Sequence, residues 1–267
     1  MNVFVRLSGD IPTIQKSFFR NAVAFVVAMV ILGRSRQGFR IQHRSNWPAL
    51  LLRSAFGTIG LLANFYAVDH LMLSDASMLN KMSPFFAVIA SFFILKEKIN
   101  PVQAMTLVGA FVGALFIVKP TFTNMLLVPS LIGLLGGLSA GVAYTMVRLL
   151  GQRGERGPFI VFVFSGVSCL VALPFLLFDY HPMTPLQVLT LLGAGLAAAG
   201  GQFSVTAAYT NAPAREISVY DYSQVIFSAV LGFVLFGDIP DGHSFLGYAL
   251  IIGMALVSFR YNNRKKA

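Results

Sequence analysis

Three ionisable residues, Arg53, Lys81 and Asp221, lie inside long apolar stretches of the 267-residue sequence. A charge within the hydrocarbon of a bilayer is costly unless it is paired or hydrated, so such residues usually mark a solute or proton pathway. The cationic side chains of Arg53 and Lys81 could hold an anionic or zwitterionic solute through charge-assisted hydrogen bonds. The carboxyl group of Asp221 is a candidate proton carrier.

Other polar side chains recur at helical spacing around Lys81 and Asp221, which predicts two helices that are each polar along one face. The first face comprises Ser77, Asn80, Lys81, Pro84 and Ser91, and the second comprises Ser218, Asp221, Tyr222 and Ser228. Because a central cavity needs a polar face on each of its opposing walls, we expect both helices to line one solute-binding cavity.

Two further apolar stretches carry polar residues on one predicted face. Asn64 shares a helical face with Arg53, and Gln202 shares another with Thr206 and Tyr209. The predicted solute-binding residues are therefore Arg53, Asn64, Asn80, Lys81, Gln202, Tyr209, Asp221 and Tyr222.

Simpler structural roles stay open for several of these residues. Arg53 lies near the start of its predicted helix, so its long side chain could instead extend to the membrane interface. An ion pair between Lys81 and Asp221 could serve packing alone. Four tyrosines could be either cavity walls or interface anchors: Tyr144, Tyr209, Tyr220 and Tyr222.

The composition indicates a membrane protein. Only 11% of the residues are charged and 56% are hydrophobic, whereas soluble domains carry about 25% charged residues. Nine apolar stretches are long enough to cross a bilayer as helices, which takes about 20 residues each. They are predicted at 17–33, 47–68, 75–95, 101–118, 126–150, 158–178, 185–209, 216–236 and 243–260. These stretches are continuously apolar rather than alternating, so the predicted class is an all-α polytopic membrane protein and not a β-barrel.

Positive charge is distributed unevenly between the predicted loops. The net charge is +10, which in a soluble protein would suggest a nucleic-acid partner. When residues 34–44 are placed in the cytoplasm, that side receives 14 Lys and Arg residues, and the opposite side receives Arg6, Lys16, Arg20 and Lys119. This bias predicts a multi-pass protein of the cell membrane with a cytoplasmic C-terminus, a basic cytoplasmic tail at 261–267, and no nucleic-acid partner.

The sequence aligns with itself at a shift of 141 residues. Asn80 then falls on Asp221 and Ala67 on Ala208, while the predicted helix ends stay in phase without a gap. We predict a first repeat at 1–119 and a second at 126–260, each of about five helices, and two such repeats insert with opposite orientations. Because the first repeat holds four predicted helices and a short N-terminal stub, its first helix is expected to lie mostly upstream of Met1. A genuine nine-helix protein is the alternative.

Several short motifs mark the helices of both predicted repeats. In the first half they are Ala67, Ser77, Ser83-Pro84-Phe85-Phe86 within a helix, Leu95-Lys96-Glu97 and a glycine-marked helix at 101–118; in the second half they are residues 208–212, Phe236-Gly237-Asp238, Gly247 and Gly253. On these motifs, nearly all of 17–260 resembles the drug/metabolite transporter superfamily, in particular its EamA-type branch. The resemblance implies two inverted repeats and favours export over import. The chain departs from the family pattern at Val225, which occupies the position equivalent to Pro84.

These features predict a secondary-active transporter that moves a small polar metabolite by alternating access. The expected solute is an amino acid or another zwitterionic or anionic compound, and the other partner is the lipid bilayer. Proton coupling through Asp221 is a candidate, and the oligomeric state is left open. Scattered histidines and the absence of a phosphate-binding glycine loop give no support to an enzyme, a metal site or a cofactor. A passive facilitator and a non-transporting membrane protein are the alternatives.

Overall fold

The computed structural model describes residues 1–96, 100–118, 126–212 and 223–264, and all regular secondary structure in these ranges is helical. The helices are α1 (Asn2–Leu7), α2 (Thr13–Arg34), α3 (Trp47–His70), α4 (Leu73–Asn80), α5 (Ser83–Ile94), α6 (Pro101–Val118), α7 (Leu127–Gln152), α8 (Gly157–Phe178), α9 (Pro185–Asn211), α10 (Ser223–Phe236) and α11 (Gly242–Arg264). A short 3-10 turn at Arg44–Asn46 precedes α3.

Seven spans in the described ranges have the length and apolar character needed to cross a membrane, and a shorter apolar helix covers Ala104–Phe116. The predicted all-helical membrane class is therefore confirmed. The count of nine spans and the inverted relationship of the two repeats stay predictions.

The third predicted segment, 75–95, is interrupted rather than continuous. Helix α4 ends at Asn80 and α5 begins at Ser83, with Lys81 and Met82 in the turn between them. Pro84 consequently lies in the first turn of α5, where its missing N–H is not needed for an intrahelical hydrogen bond. The expectation of a proline in the middle of one helix is thus wrong, and the break places Lys81 at a helix junction.

Small residues bring α7 against both α3 and the α4–α5 turn. A Cβ placed on Gly60 of α3 would lie 3.2 Å from the carbonyl oxygen of Gly136. A Cβ placed on Gly137 would lie 2.5 Å from the carbonyl oxygen of Leu79. A Cβ on Gly141 would lie 2.7 Å from the Ser83 carbonyl oxygen. These helices pack backbone to backbone, and this fixes the wall on which the candidate site is built.

Polar contacts join the two halves of the chain at both ends of the bundle. At one end Arg6 forms an ion pair with Asp238, whose carboxylate also accepts a hydrogen bond from the backbone N–H of Leu73 at 3.1 Å. At the other end the Glu155 carboxylate accepts a hydrogen bond from Asn46 Nδ2 at 3.0 Å. The loops around Asn46 and Glu155, which the charge bias placed on one side of the membrane, therefore meet at one end of the bundle.

The start of α2 differs from the prediction in a way that matters for the site. The first span was expected to begin at residue 17, with Lys16 and Arg20 counted among the charges of an outer loop. The helix instead begins at Thr13, so both side chains lie within the bundle and are 2% and 5% exposed respectively.

Candidate functional site

Two adjoining cavities lie between α2, α3, α7 and α9. The narrower has a volume of about 110 Å³ and the wider about 360 Å³. The lining residues that they share include Arg20, Asn64, Asn80, Tyr144 and Gln202. Because they share these walls, we describe them together as the central chamber, with a narrow end and a wide end.

Five of the eight predicted solute-binding residues line the central chamber. Asn64, Asn80 and Gln202 lie where the two cavities meet, whereas Arg53 lies at the narrow end and Lys81 at the wide end. The polar faces read from the sequence on α3, α4 and α9 thus converge, because each helix turns that face toward the bundle axis.

The other three predicted residues are placed differently. Tyr209 is 1% exposed and does not line the chamber; its ring stacks on that of Tyr144, with centroids 4.5 Å apart. It therefore supports a lining residue from behind rather than facing the solute space. Asp221 and Tyr222 lie outside the described residues.

The Arg53 side chain is enclosed at the narrow end. Its guanidinium carbon lies 3.9 Å from the centroid of the Phe164 ring, and only 2% of the residue is exposed. A Cβ on Gly57, one helical turn further along α3, would overlap Arg53 Nη1. The glycine therefore makes room for the guanidinium, which turns inward toward the chamber instead of extending to the membrane interface.

Arg20 is a chamber residue that the sequence reasoning missed. Its Nη1 donates a hydrogen bond to Asn21 Oδ1 at 2.6 Å, and its Nη2 donates to Gln202 Oε1 at 3.4 Å. Its guanidinium carbon lies 5.8 Å from the Phe164 centroid. A signal for it exists in the sequence, because small and polar residues recur at helical spacing through Ser17, Arg20, Asn21, Ala24 and Ala28, and all of them are buried.

Both acceptors of Arg20 are themselves oriented by a second hydrogen bond. The amide nitrogen of Asn21 donates to the Ser17 carbonyl oxygen at 3.0 Å, and that of Gln202 donates to Thr206 Oγ1 at 3.3 Å. With their nitrogens held in this way, the carbonyl oxygens of both amides point toward Arg20 and fix its position in the chamber wall.

The wide end combines polar and apolar walls. Ser77 of α4 donates a hydrogen bond to Ser228 of α10 at 2.9 Å, which ties the two halves of the chain together beside Lys81. Apolar lining at this end comes from Val205, Phe227 and Leu231, among others.

The chamber carries positive charge. Its lining includes three cationic side chains, Arg20, Arg53 and Lys81, and no Asp or Glu among the residues that the structure describes. Among the described residues outside the chamber, the Asp69 carboxylate is paired with Lys16 at 2.6 Å. The described lining therefore presents two buried guanidinium groups, those of Arg20 and Arg53, to the chamber.

The described ranges contain no cluster of three or more His, Cys, Asp or Glu side chains able to hold a metal ion. The donors and acceptors around the chamber are amides, hydroxyls and cations, which are groups suited to hydrogen bonding with a solute.

Comparison with known proteins identifies the family. The sequence profile of the EamA-like transporter family matches residues 2–119 and again residues 128–260. The pseudopaline exporter CntI of Pseudomonas aeruginosa is 33% identical over 254 residues, which is 94% of this chain and 88% of that protein. A riboflavin transporter of Brucella anthropi is 26% identical and covers 98% of this chain and 94% of its own length.

A solved crystal structure shares the fold, with a TM-score of 0.71 at 19% sequence identity over 98% of this chain and 93% of the other. The relatives are named as transporters rather than enzymes, which agrees with the chamber and its apolar surroundings. The chain therefore belongs to the EamA-like transporter family of the drug/metabolite transporter superfamily, and it is a multi-pass membrane transporter of a small-molecule substrate.

Proposed function

We propose that this protein is a secondary-active transporter that moves a small anionic or zwitterionic metabolite, such as an amino acid, by alternating access. The observation that carries the proposal is the central chamber, whose described lining is cationic and free of carboxylates. Burying guanidinium groups away from water is costly unless an opposite charge compensates them, and an anionic solute supplies that charge when it binds.

Arg53, Asn64, Asn80, Lys81 and Gln202 are the proposed solute-binding residues that the described structure brings together. Tyr209 contributes by holding the ring of Tyr144 against the chamber. Asp221 and Tyr222 stay in the proposal through their place in the repeat, and Asp221 is the proposed proton carrier.

The arrangement in the membrane is proposed from the charge bias and the internal alignment. Residues 1–119 and 126–260 form two inverted repeats with nine spans in all, and the two separate matches to the family profile support this division. Residues 261–267 form a cytoplasmic tail at the cell membrane. Export is the proposed direction, supported by the relative in Pseudomonas aeruginosa that is named an exporter.

Flux measurements on purified protein in proteoliposomes test the proposal. Labelled amino acids and other small organic anions are loaded inside, and their release is compared between the wild type, Lys81→Ala and Asp221→Asn. The exposed loop variant Arg36→Gln serves as the control, since Arg36 is exposed and does not line the chamber. We expect Lys81→Ala and Asp221→Asn to slow the release of a transported solute while Arg36→Gln does not.

The same vesicles separate the alternatives. An imposed pH gradient drives accumulation against the solute gradient only in a proton-coupled carrier, so equilibration without accumulation would indicate a passive facilitator. Flux that is equal in all variants and in empty vesicles would contradict transport through the chamber.

A further inference from the structure

We infer that Arg20 and Arg53 together form a carboxylate-binding subsite at the narrow end of the central chamber, so that transported solutes carry a carboxylate group which docks there. This inference rests on the proposed transport function and names the chemical group that the chamber selects. Arg20, which lies on α2, becomes a specificity-determining residue.

The narrow end is too small for a whole solute. The narrow end holds about 110 Å³, whereas pockets that enclose whole small molecules have about 300–1,000 Å³. Its wall includes Gly57, Gly60, Ala140 and Ala143, and even with these small residues the volume leaves room for a head group only. The wide end, at about 360 Å³, has room for the remainder of the solute.

Arg20 and Arg53 have more hydrogen-bond donors than the described residues around them accept. A guanidinium group offers five N–H donors and no acceptor. Within the described ranges, Arg20 donates two hydrogen bonds to amide oxygens, whereas Arg53 donates none. The Nε atoms of both residues are buried without a hydrogen-bond partner in these ranges. The terminal N–H groups that the protein leaves without an acceptor can donate to a group bound in the chamber, and a carboxylate offers them two oxygens at once.

Arg20 and Arg53 approach the same aromatic ring, that of Phe164. The guanidinium carbons of Arg20 and Arg53 lie 5.8 and 3.9 Å from the centroid of the Phe164 ring. Contact with the ring face covers one side of the Arg53 guanidinium and leaves the N–H groups along its edge for a ligand. A planar carboxylate matches that edge, whereas a primary amide brings its own N–H donors against the arginines and is rejected.

The residues that line the wide end indicate the chemistry of the rest of the solute. Apolar side chains of Val205, Phe227 and Leu231 share this wall with Lys81 and Ser228. The body that follows the carboxylate is therefore expected to combine an apolar part with at least one further polar group.

Thermal unfolding of the purified protein in detergent tests the inference with three matched pairs of probes. The pairs are succinate and succinamide, L-phenylalanine and L-phenylalaninamide, and 3-phenylpropionate and 3-phenylpropanamide. Inorganic phosphate is the comparison anion, and sodium chloride at the same ionic strength is the blank. Ligands that bind the folded state raise the unfolding temperature. We expect at least one acid to stabilise the wild type and its amide to have no effect.

Arg20→Met and Arg53→Met are each expected to weaken the apparent affinity for that acid by roughly 10- to 100-fold, the usual contribution of a hydrogen bond to a charged group. Arg20→Lys and Arg53→Lys keep the charge but lose the two-pronged geometry, and we expect intermediate affinities. These lysine variants serve where a methionine variant fails to fold.

The matched control is the double variant Lys16→Met/Asp69→Asn, which removes a buried cation from α2 one turn away from Arg20. We expect it to retain acid binding, since neither residue lines the chamber. The inference is overturned if no acid stabilises the wild type, if acid and amide stabilise it equally, if inorganic phosphate binds better than every acid, or if the arginine variants bind as the wild type does.

Flux in proteoliposomes separates this inference from the proposed function. If the wild type releases the acid and its amide equally fast, the carboxylate subsite is contradicted, but the proposed transport function is not. Solute release that depends on no chamber residue at all would instead overturn the proposed function.

Discussion

Lys16 and Arg20 lie one turn apart on α2, both buried, yet only Lys16 has a carboxylate partner among the described residues. Its Nζ lies 2.6 Å from Asp69 Oδ1, whereas the Arg20 guanidinium donates to the amide oxygens of Asn21 and Gln202. One helix thus carries a cation that is neutralised within the protein and a second cation that stays available to a solute. Two basic residues on the same helix thus have different roles. Lys16 is part of a structural ion pair, whereas Arg20 is available for binding.

Replacing Asp69 with Asn should destabilise the protein. The substitution leaves the Lys16 ammonium group, 2% exposed, without its counter-charge, and we expect a loss of roughly 1–3 kcal/mol in unfolding free energy. The double variant Lys16→Met/Asp69→Asn should recover part of it, because no unpaired charge remains buried. Chemical denaturation in detergent measures both, and a double variant less stable than Asp69→Asn would contradict the ion-pair explanation.

Replacing Gln202 with Glu should weaken solute binding, because the new carboxylate competes with the solute for Arg20. The carboxylate would lie where Gln202 Oε1 now accepts from Arg20 Nη2 at 3.4 Å, so it would compete with an anionic solute for the same cation. We expect apparent solute affinity to fall by about 10- to 100-fold.

Gln202→Met is the control for this experiment, since it removes the acceptor without adding charge, and it should weaken affinity far less. Competition binding and vesicle flux report the difference. Equal affinity in the Glu variant and the wild type would show that the charge near Arg20 does not select the solute.

The sequence predicted the chamber residues of α3, α4 and α9 because polar side chains in an apolar stretch reveal which face turns inward. It missed Arg20 because the polar approach to α2 resembles a loop, and only the fold shows that the helix begins at Thr13. It also missed the break beside Lys81, since a proline in an apolar stretch is compatible with either a kink or a new helix start. Both features depend on packing against other helices, which local periodicity does not contain.

Replacing Gly141 with Ala should weaken the packing of α7 on α5. The added methyl group would lie 2.6 Å from Phe86 Cβ and 2.7 Å from the Ser83 carbonyl oxygen, so the helices must separate. We expect a cost of about 1–3 kcal/mol in unfolding free energy. Gly200→Ala is the matched control, because a Cβ there has no heavy atom within 4 Å; if both variants unfold at the same temperature, the close contact of α5 and α7 is not what stabilises the bundle.

A disulfide between positions 46 and 155 should stop transport by alternating access. Asn46 Nδ2 donates to Glu155 Oε2 at 3.0 Å, so this contact joins the proposed first and second repeats at one end of the bundle. If the repeats must separate there during each cycle, a covalent bond across the contact holds the chamber closed on that side.

The single native cysteine, Cys169, makes the experiment direct, since Asn46→Cys/Glu155→Cys can be built in a Cys169→Ser background. We expect an oxidant to abolish solute flux in the double-cysteine protein and a reductant to restore it, while each single-cysteine protein is insensitive to both. Undiminished flux in fully cross-linked protein would mean that the two repeats do not move apart at the end where Asn46 and Glu155 meet.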